Sequence, residues 1–196
     1  MHIYLCYREK NTDSEKTVRQ FLKDYSRDAA LGFSDDVADN AIIAYGRHGK
    51  PFFADLPQVH FSVSHSGSYF ACAFDRSPLG MDIEHISIRR DCDEKRWEKI
   101  ARRFFTHTEY EYVLNGGKES FLQIWVRKEA YLKFTGTGIA SGLARINFVN
   151  ENKLLGKVEN AFVKGIDLYP EIIAACCSSN EPVIEKIHFK SSRVCS

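Results

Sequence analysis

Near the middle of the chain, LGMDIE sets Asp82 and Glu84 two residues apart in a strand-like stretch, and IWVRKEAYLKF sets Glu129 and Lys133 four apart in a helix-like one. Alternate strand residues share a face, so Asp82 and Glu84 point one way and Met81 and Ile83 the other. Two neighbouring carboxylates repel unless a proton or a cation compensates, and oxygen-only ligands suit Mg²⁺ better than zinc or copper. The same pattern also fits an exposed, alternating edge strand. On the helix, Glu129 and Lys133 stand in the order that favours an intrahelical ion pair. Phe121, Trp125 and Leu132 form its apolar stripe, and Glu129 lies only about 40° from Trp125 around the axis, which predicts partial desolvation. A carboxylate so placed moves outward or acquires a charged partner, and a Mg²⁺ shared with Asp82 and Glu84 would supply one. A structural ion pair is the other reading.

Two further stretches carry suitable groups. HFSVSHSGSYF directs Phe61 and Val63 inward and Ser62 and Ser64 outward, then presents His65, Ser66 and Gly67, whose imidazole, hydroxyl and turn amides could hold a phosphate. It is equally a surface hairpin containing a histidine, and it lacks the G-x-S-x-G frame of a nucleophile elbow. GKPFF, from Gly49, joins Lys50 and Pro51 to two aromatics without the glycine frame of a P-loop. No set of histidines and cysteines completes a zinc-ligand pattern, so no zinc site is expected.

The elements that must position these groups are legible as hydrophobic periods. HIYLCY predicts a first strand and SEKTVRQFLKDY an amphipathic helix with Val18, Phe21, Leu22 and Tyr25 on one side. Ala38, Ala41, Ile42 and Tyr45 fit one helical face ended by Gly46. QVHFSVS, YFACAF and LGMDIE then predict three strands joined closely enough for an antiparallel meander. RWEKIARRFF is a helix. Thr106 and Glu109 form a capping box that opens HTEYEYVL, Asn115-Gly116-Gly117 stops it, and FLQIWVRKEAYLKF follows as a third helix. ARINFVN, LLGKVE, EIIAACC and VIEKIHF return to strands. YFACAF and EIIAACC echo each other faintly, compatible with two related lobes.

The 196 residues allow one sizeable domain or two small lobes, and 27 basic against 26 acidic side chains leave a charge of +1, far from the footprint of a nucleic-acid binder. No apolar run approaches the ~20 residues that span a bilayer, so no membrane partner is expected. Six cysteines lack C-x-x-C spacing and the polar start MHIYLCYREK is no signal peptide, which predicts a reducing, cytoplasmic setting.

Taken in order, G-K-P, S-H-S-G, G-x-D-x-E, R-F-F-x-x-x-E-Y and W-x-x-K-E-A-x-x-K resemble the Sfp-type 4′-phosphopantetheinyl transferases, from Gly49 to about Gly142. The resemblance implies an α+β fold of two similar lobes related by a pseudo-twofold axis, placed at 1–78 and 79–196, with coenzyme A between them. Because both lobes lie on one chain, a monomer is expected. It further implies Asp82, Glu84 and Glu129 as Mg²⁺ ligands, and Lys50, Pro51, Ser64, His65 and Lys133 around the coenzyme A phosphates. The implied reaction moves phosphopantetheine to a serine of an apo acyl or peptidyl carrier protein, with Glu129 as base and Lys133 and His65 stabilising developing charge. GTGIASGLARINF, with Gly136, Gly138 and Gly142, is the implied carrier contact, although these glycines also suit a helix end followed by a turn.

The part before Gly49 is shorter than is usual for that family. There, Arg27 in SRDAALG resembles the arginine-before-leucine-glycine segment that grips the 3′-phosphate, but an acidic stretch with Asp35, Asp36 and Asp39 follows it. Two rival classes share the same residues: a non-catalytic coenzyme A or nucleotide-binding module, and a Mg²⁺-dependent phosphohydrolase.

Overall fold

The computed structural model of the protein describes residues 1–9, 11–87, 96–138 and 143–190. HIYLCY forms β1 (His2–Tyr7), buried along almost its whole length. Beside it lies β5 (Tyr69–Asp75), antiparallel, and beyond β5 its hairpin partner β4 (His60–Ser66). On the other flank, β12 (Lys186–Lys190) returns from the far end of the chain and pairs with β1 in parallel. The 78/79 boundary thus falls between β5 and the next strand, with β12 crossing back into the first sheet.

Against one face of this sheet packs α1 (Ser14–Asp28), opened by the Asp13 carboxylate, which accepts from the Glu15 and Lys16 amides. Its Val18, Phe21, Leu22 and Tyr25 join Tyr4, Phe61, Phe70 and Phe74 in one cluster. Each such side chain, fully buried, contributes roughly 1.5–3 kcal/mol. The helical face drawn through Ala38, Ala41, Ile42 and Tyr45 is not formed. Helix α2 (Asp35–Asn40) ends before Ala41, whose extended backbone leads into a small hairpin of β2 (Ile43–Tyr45) and β3 (Pro51–Phe53). Ala38 and Ala41 are buried, but Ile42 and Tyr45 are exposed, so no single helical face needed covering.

The second sheet runs β6 (Leu79–His85), β11 (Ile172–Ser178), β10 (Ala161–Tyr169), β9 (Lys157–Val158), all antiparallel. The expected three-strand meander is therefore corrected, because β6 leaves β5 and pairs with β11. Leu79, Met81 and Ile83 meet Ile3, Leu5, Ala71 and Ala73 in a core shared by the two sheets.

Where β6 passes β4, serine side chains make the join. Ser62, Ser64 and Ser66 hydroxyls accept from the amides of Met81 (3.0 Å), Ile83 (3.3 Å) and His85 (3.0 Å). Ser62 and Ser64 are consequently buried, not outward as the alternation suggested. Their hydroxyls supply acceptors that a buried strand edge would otherwise lack.

Helix α3 (Arg96–Phe104) leads to α4 (His107–Thr135), which opens with the expected Thr106–Glu109 capping box. At Gly117 the backbone turns to φ 70°, ψ −152°. A straight helix would separate Glu109 from Lys128 by about 28 Å, yet their side chains bond at 2.8 Å. The arms 107–116 and 118–135 therefore fold back on each other, as the Asn115-Gly116-Gly117 stop predicted. ARINFVN and LLGKVE contain only a 3₁₀ turn (Leu143–Arg145) and two-residue strands, β7 (Val149–Asn150) and β8 (Lys153–Leu154), besides β9.

No helix among the described residues is long and apolar enough to cross a membrane. Cys6, Cys72, Cys176 and Cys177 are buried, and burial pushes the Cys176 and Cys177 thiols up to about 12.

Candidate functional site

The site is set by how closely the second arm of α4 approaches β6. A Cβ on Gly80 would lie 2.0 Å from the Ala130 carbonyl oxygen and 2.3 Å from the Phe134 nitrogen, so only glycine admits the helix there. Further along, the Lys118 ammonium donates to the Ile86 carbonyl at 2.8 Å. Helix and strand thus run in opposite directions, and the face of β6 that carries Gly80, Asp82 and Glu84 is the one turned toward α4.

On that face Asp82 is buried, and its Oδ1 accepts from the Ser64 hydroxyl at 2.7 Å and the Lys133 ammonium at 2.8 Å. Lys133 also donates to the Val63 carbonyl at 3.0 Å, so its charge reaches across to the strands and not along its own helix to Glu129. Ser66 donates to Glu84 Oε2 at 2.6 Å, continuing the same pattern one pleat further along. The serines therefore have two tasks: they close the seam through β6 amides and orient both carboxylates.

Beside this row opens a cleft of ≈ 260 Å³, lined by Glu129, Lys133, Lys50 and Pro51 together with Val63 and Gly136. Lys50 donates to the Leu79 carbonyl (3.1 Å) and to the Phe134 carbonyl at the end of α4 (3.0 Å), and burial holds its ammonium below the ordinary value. In this state Lys50 joins the β5–β6 turn to the helix C-terminus, while its cation faces the cleft. Gly136, left-handed at φ 67°, ends α4 at the cleft rim, and Gly138 also lines it; Gly142 lies outside the described residues.

His65 is exposed on the other face of β4, next to Lys133 and to Arg8, a residue the sequence reading passed over. Arg8 follows directly on β1, and its Nε is buried without an acceptor. Burial first, and Arg8 and Lys133 after it, hold His65 below its ordinary 6.5. An arriving oxyanion raises that value again, so binding takes up a proton. The affinity for sulfate, whose own charge is constant in this range, is expected to strengthen as pH falls below 6.5 toward the lowered His65 value in calorimetric titrations. His65→Ala should flatten the profile, and a flat wild-type profile would remove His65 from anion binding.

Arg27 stands elsewhere. Its guanidinium chelates Asp35 at 2.5 and 2.7 Å and also meets Asp24, while the next residue, Asp28, bonds to Tyr4 and Lys186 at the β12 edge. The acidic stretch that follows Arg27 thus supplies its partner, and the arginine is not among the cleft-lining residues.

Asp82, Glu84 and Glu129 offer oxygen donors only, a set whose chemistry fits a hard divalent cation. Among the described residues no three His, Cys, Asp or Glu side chains close on one point, and the charge compensating Asp82 is the Lys133 ammonium.

A second network supports this arm of the helix. Lys128, adjacent to Glu129, is fully buried and donates to Glu109 Oε2 (2.8 Å), to the Leu143 carbonyl (2.6 Å) and to the Ile146 carbonyl (2.5 Å). Glu109, also fully buried, accepts from the Thr106 amide (2.8 Å) and the Phe148 amide (2.9 Å). The capping box was legible in the sequence; that its glutamate also neutralises a lysine of the other arm was not.

The chain belongs to the 4′-phosphopantetheinyl transferase superfamily, whose family model matches residues 78–181, more than half of the sequence and inclusive of β6, both arms of α4 and β11. Among curated relatives, the 4′-phosphopantetheinyl transferase Sfp of Bacillus subtilis (strain 168) is 40% identical over 100 residues, 47% of this chain and 40% of that protein. A second Bacillus subtilis 4′-phosphopantetheinyl transferase is 29% identical over 165 residues, 78% of this chain and 70% of that protein. The 4′-phosphopantetheinyl transferase HetI of Nostoc sp. is 36% identical over 104 residues, 49% of this chain and 42% of that protein. The matched stretch thus spans less than half the length of Sfp and of HetI.

Proposed function

We propose that the protein transfers the 4′-phosphopantetheine group of coenzyme A to a serine hydroxyl of an apo acyl or peptidyl carrier protein, releasing adenosine 3′,5′-bisphosphate. The observation that carries this reading is the row Ser64–Asp82–Lys133, which borders a cleft lined by Glu129 and Lys50, with its carboxylates and Lys133 inside the family-matched segment. Cations at the cleft suit a diphosphate, and Glu129 beside them suits a base.

In the reaction the serine oxygen forms a bond to the β-phosphorus, the bond from that phosphorus to the bridging oxygen breaks, and the serine proton passes to Glu129. The half-buried position of Glu129 makes it a better base than an exposed carboxylate. Lys133, now held between Asp82 and the Val63 carbonyl, is fixed where it can stabilise charge on the transferring oxygens. His65 and Arg8 add positive charge at the outer side. Asp82, Glu84 and Glu129 would hold Mg²⁺, which when bound offsets the charge of the diphosphate. Each sheet carries its own helix layer, α1 on the first and α4 on the second, which supports two lobes, 1–78 and 79–196, with the cleft at their seam. We read the enzyme as a cytoplasmic monomer.

Intact mass spectrometry of apo carrier proteins incubated with the protein, coenzyme A and Mg²⁺ tests this directly. Addition of one phosphopantetheine to an acyl or peptidyl carrier is expected. Phosphate release from coenzyme A with no carrier present would point to a hydrolase, and coenzyme A binding without either reaction to a non-catalytic module.

A further inference from the structure

A second cavity, larger than the carboxylate cleft, opens elsewhere on the described molecule. It measures ≈ 700 Å³ and lies between the second arm of α4 and the β10–β11 hairpin, lined by Glu119, Gln123 and Arg127 of the helix and by Gly165, Asp167 and Tyr169 of β10, among others. Glu119, Gln123 and Arg127 recur every four residues and so form one stripe along the helix. Glu129 and Lys133 open on the other cleft.

Arg127 is the unusual member. Its Nη1 donates to the Gln123 carbonyl at 2.8 Å, while its Nε is sealed from solvent and meets no acceptor. Glu119 and Asp167 share the cavity wall, yet among the described residues no carboxylate pairs with this guanidinium. Burial lowers its affinity for a proton, as expected of a cation held away from water with no counter-charge. On the opposite wall β10 has a glycine where a Cβ would come within 2.9 Å of Arg127 Nη2. Gly165 has no positive φ to account for it; what its missing side chain provides is room for the guanidinium.

A desolvated cation, a cavity in front of it and a strand that gives way to seat it are the parts of an oxyanion receptor. We infer that Arg127 and the Gly165 gap form a second binding site, separate from the carboxylate cleft, for a small ligand bearing a carboxylate or phosphate group. The Nη donors of the guanidinium, rather than the sealed Nε, can meet either group. Glu119 and Asp167 on the walls disfavour additional negative charge, so the ligand carries a single oxyanion.

Side-chain NMR of full-length protein with ¹⁵N-labelled arginine reads this site by itself, with the Arg127 Nε–H signal identified by its loss in Arg127→Lys. Titration with inorganic phosphate and, separately, with acetate is expected to shift that signal saturably in at least one series, which also tells a phosphate site from a carboxylate site. Gly165→Val, with its other signals unchanged, fills the gap in front of the guanidinium and should weaken the response about ten-fold or more. An Arg127 signal that stays fixed in both titrations, or moves only in step with exposed arginines as salt is added, would overturn the assignment. So would unchanged affinity in Gly165→Val.

Discussion

Lys128→Ala is expected to cost the folded protein about 3–5 kcal/mol, because it leaves the Glu109 carboxylate buried without its cation. Both side chains are essentially excluded from water, at 1% and 0% exposure. The loss extends beyond one ion pair, since the same ammonium satisfies two backbone carbonyls, Leu143 and Ile146, that have no water to turn to. Removing both charges in Lys128→Met/Glu109→Gln should cost less than the sum of the single changes, the mark of a coupled pair. Urea unfolding of the variants measures this as a fall in midpoint at constant slope. A Lys128→Ala unfolding free energy within about 1 kcal/mol of wild type would show that this network does not hold the α4 arms together. The segment 143–148 is tied to the helix by these bonds, so milder variants should also lose affinity for the carrier protein that this region is proposed to contact.

The second large effect concerns the chemistry. Glu129→Gln keeps the size of the side chain and removes its charge and basicity, and it should leave the thermal midpoint close to wild type while lowering transfer about 10²–10⁴-fold. Its neighbours make the two outcomes separable. Lys133 is held by Asp82 and Val63, and Lys50 by Leu79 and Phe134, so the cleft does not rely on Glu129 to keep its cations in place. Near-normal transfer by Glu129→Gln would remove this residue from the mechanism.

How much of this was legible depended on whether a residue's partner lay within its own element. Val18, Phe21, Leu22 and Tyr25 declare α1 by spacing alone, and Thr106 with Glu109 marks the start of α4 to the residue. Asp82 and Glu84 share a strand face for the same local reason. The serines of β4 misled, because alternation says which residues share a face and not whether that face meets water or another strand. Strand β10 escaped because Lys164, Gly165 and Asp167 interrupt its apolar alternation, and the glycine there serves a contact with Arg127 on a distant helix. Lys128 looked like one more charge in a helical motif, since only the reversal at Gly117 brings Glu109 to it. Arg27 shows a local likeness, and what the sequence does not show is that Asp35, eight residues on, engages its guanidinium.

In the proposed function, the seam between the two sheets, closed by Ser62, Ser64 and Ser66 and covered by α4, is where a diphosphate meets three carboxylates and a lysine. A crystal structure of the protein grown with coenzyme A and Mg²⁺ puts this to the most direct test. The diphosphate is expected in the cleft beside Lys50 and Lys133, with the cation between it and Asp82, Glu84 and Glu129. Coenzyme A seated elsewhere, in the Arg127 cavity for example, with Lys133 still bound to Asp82 and no cation at the carboxylates, would contradict the account.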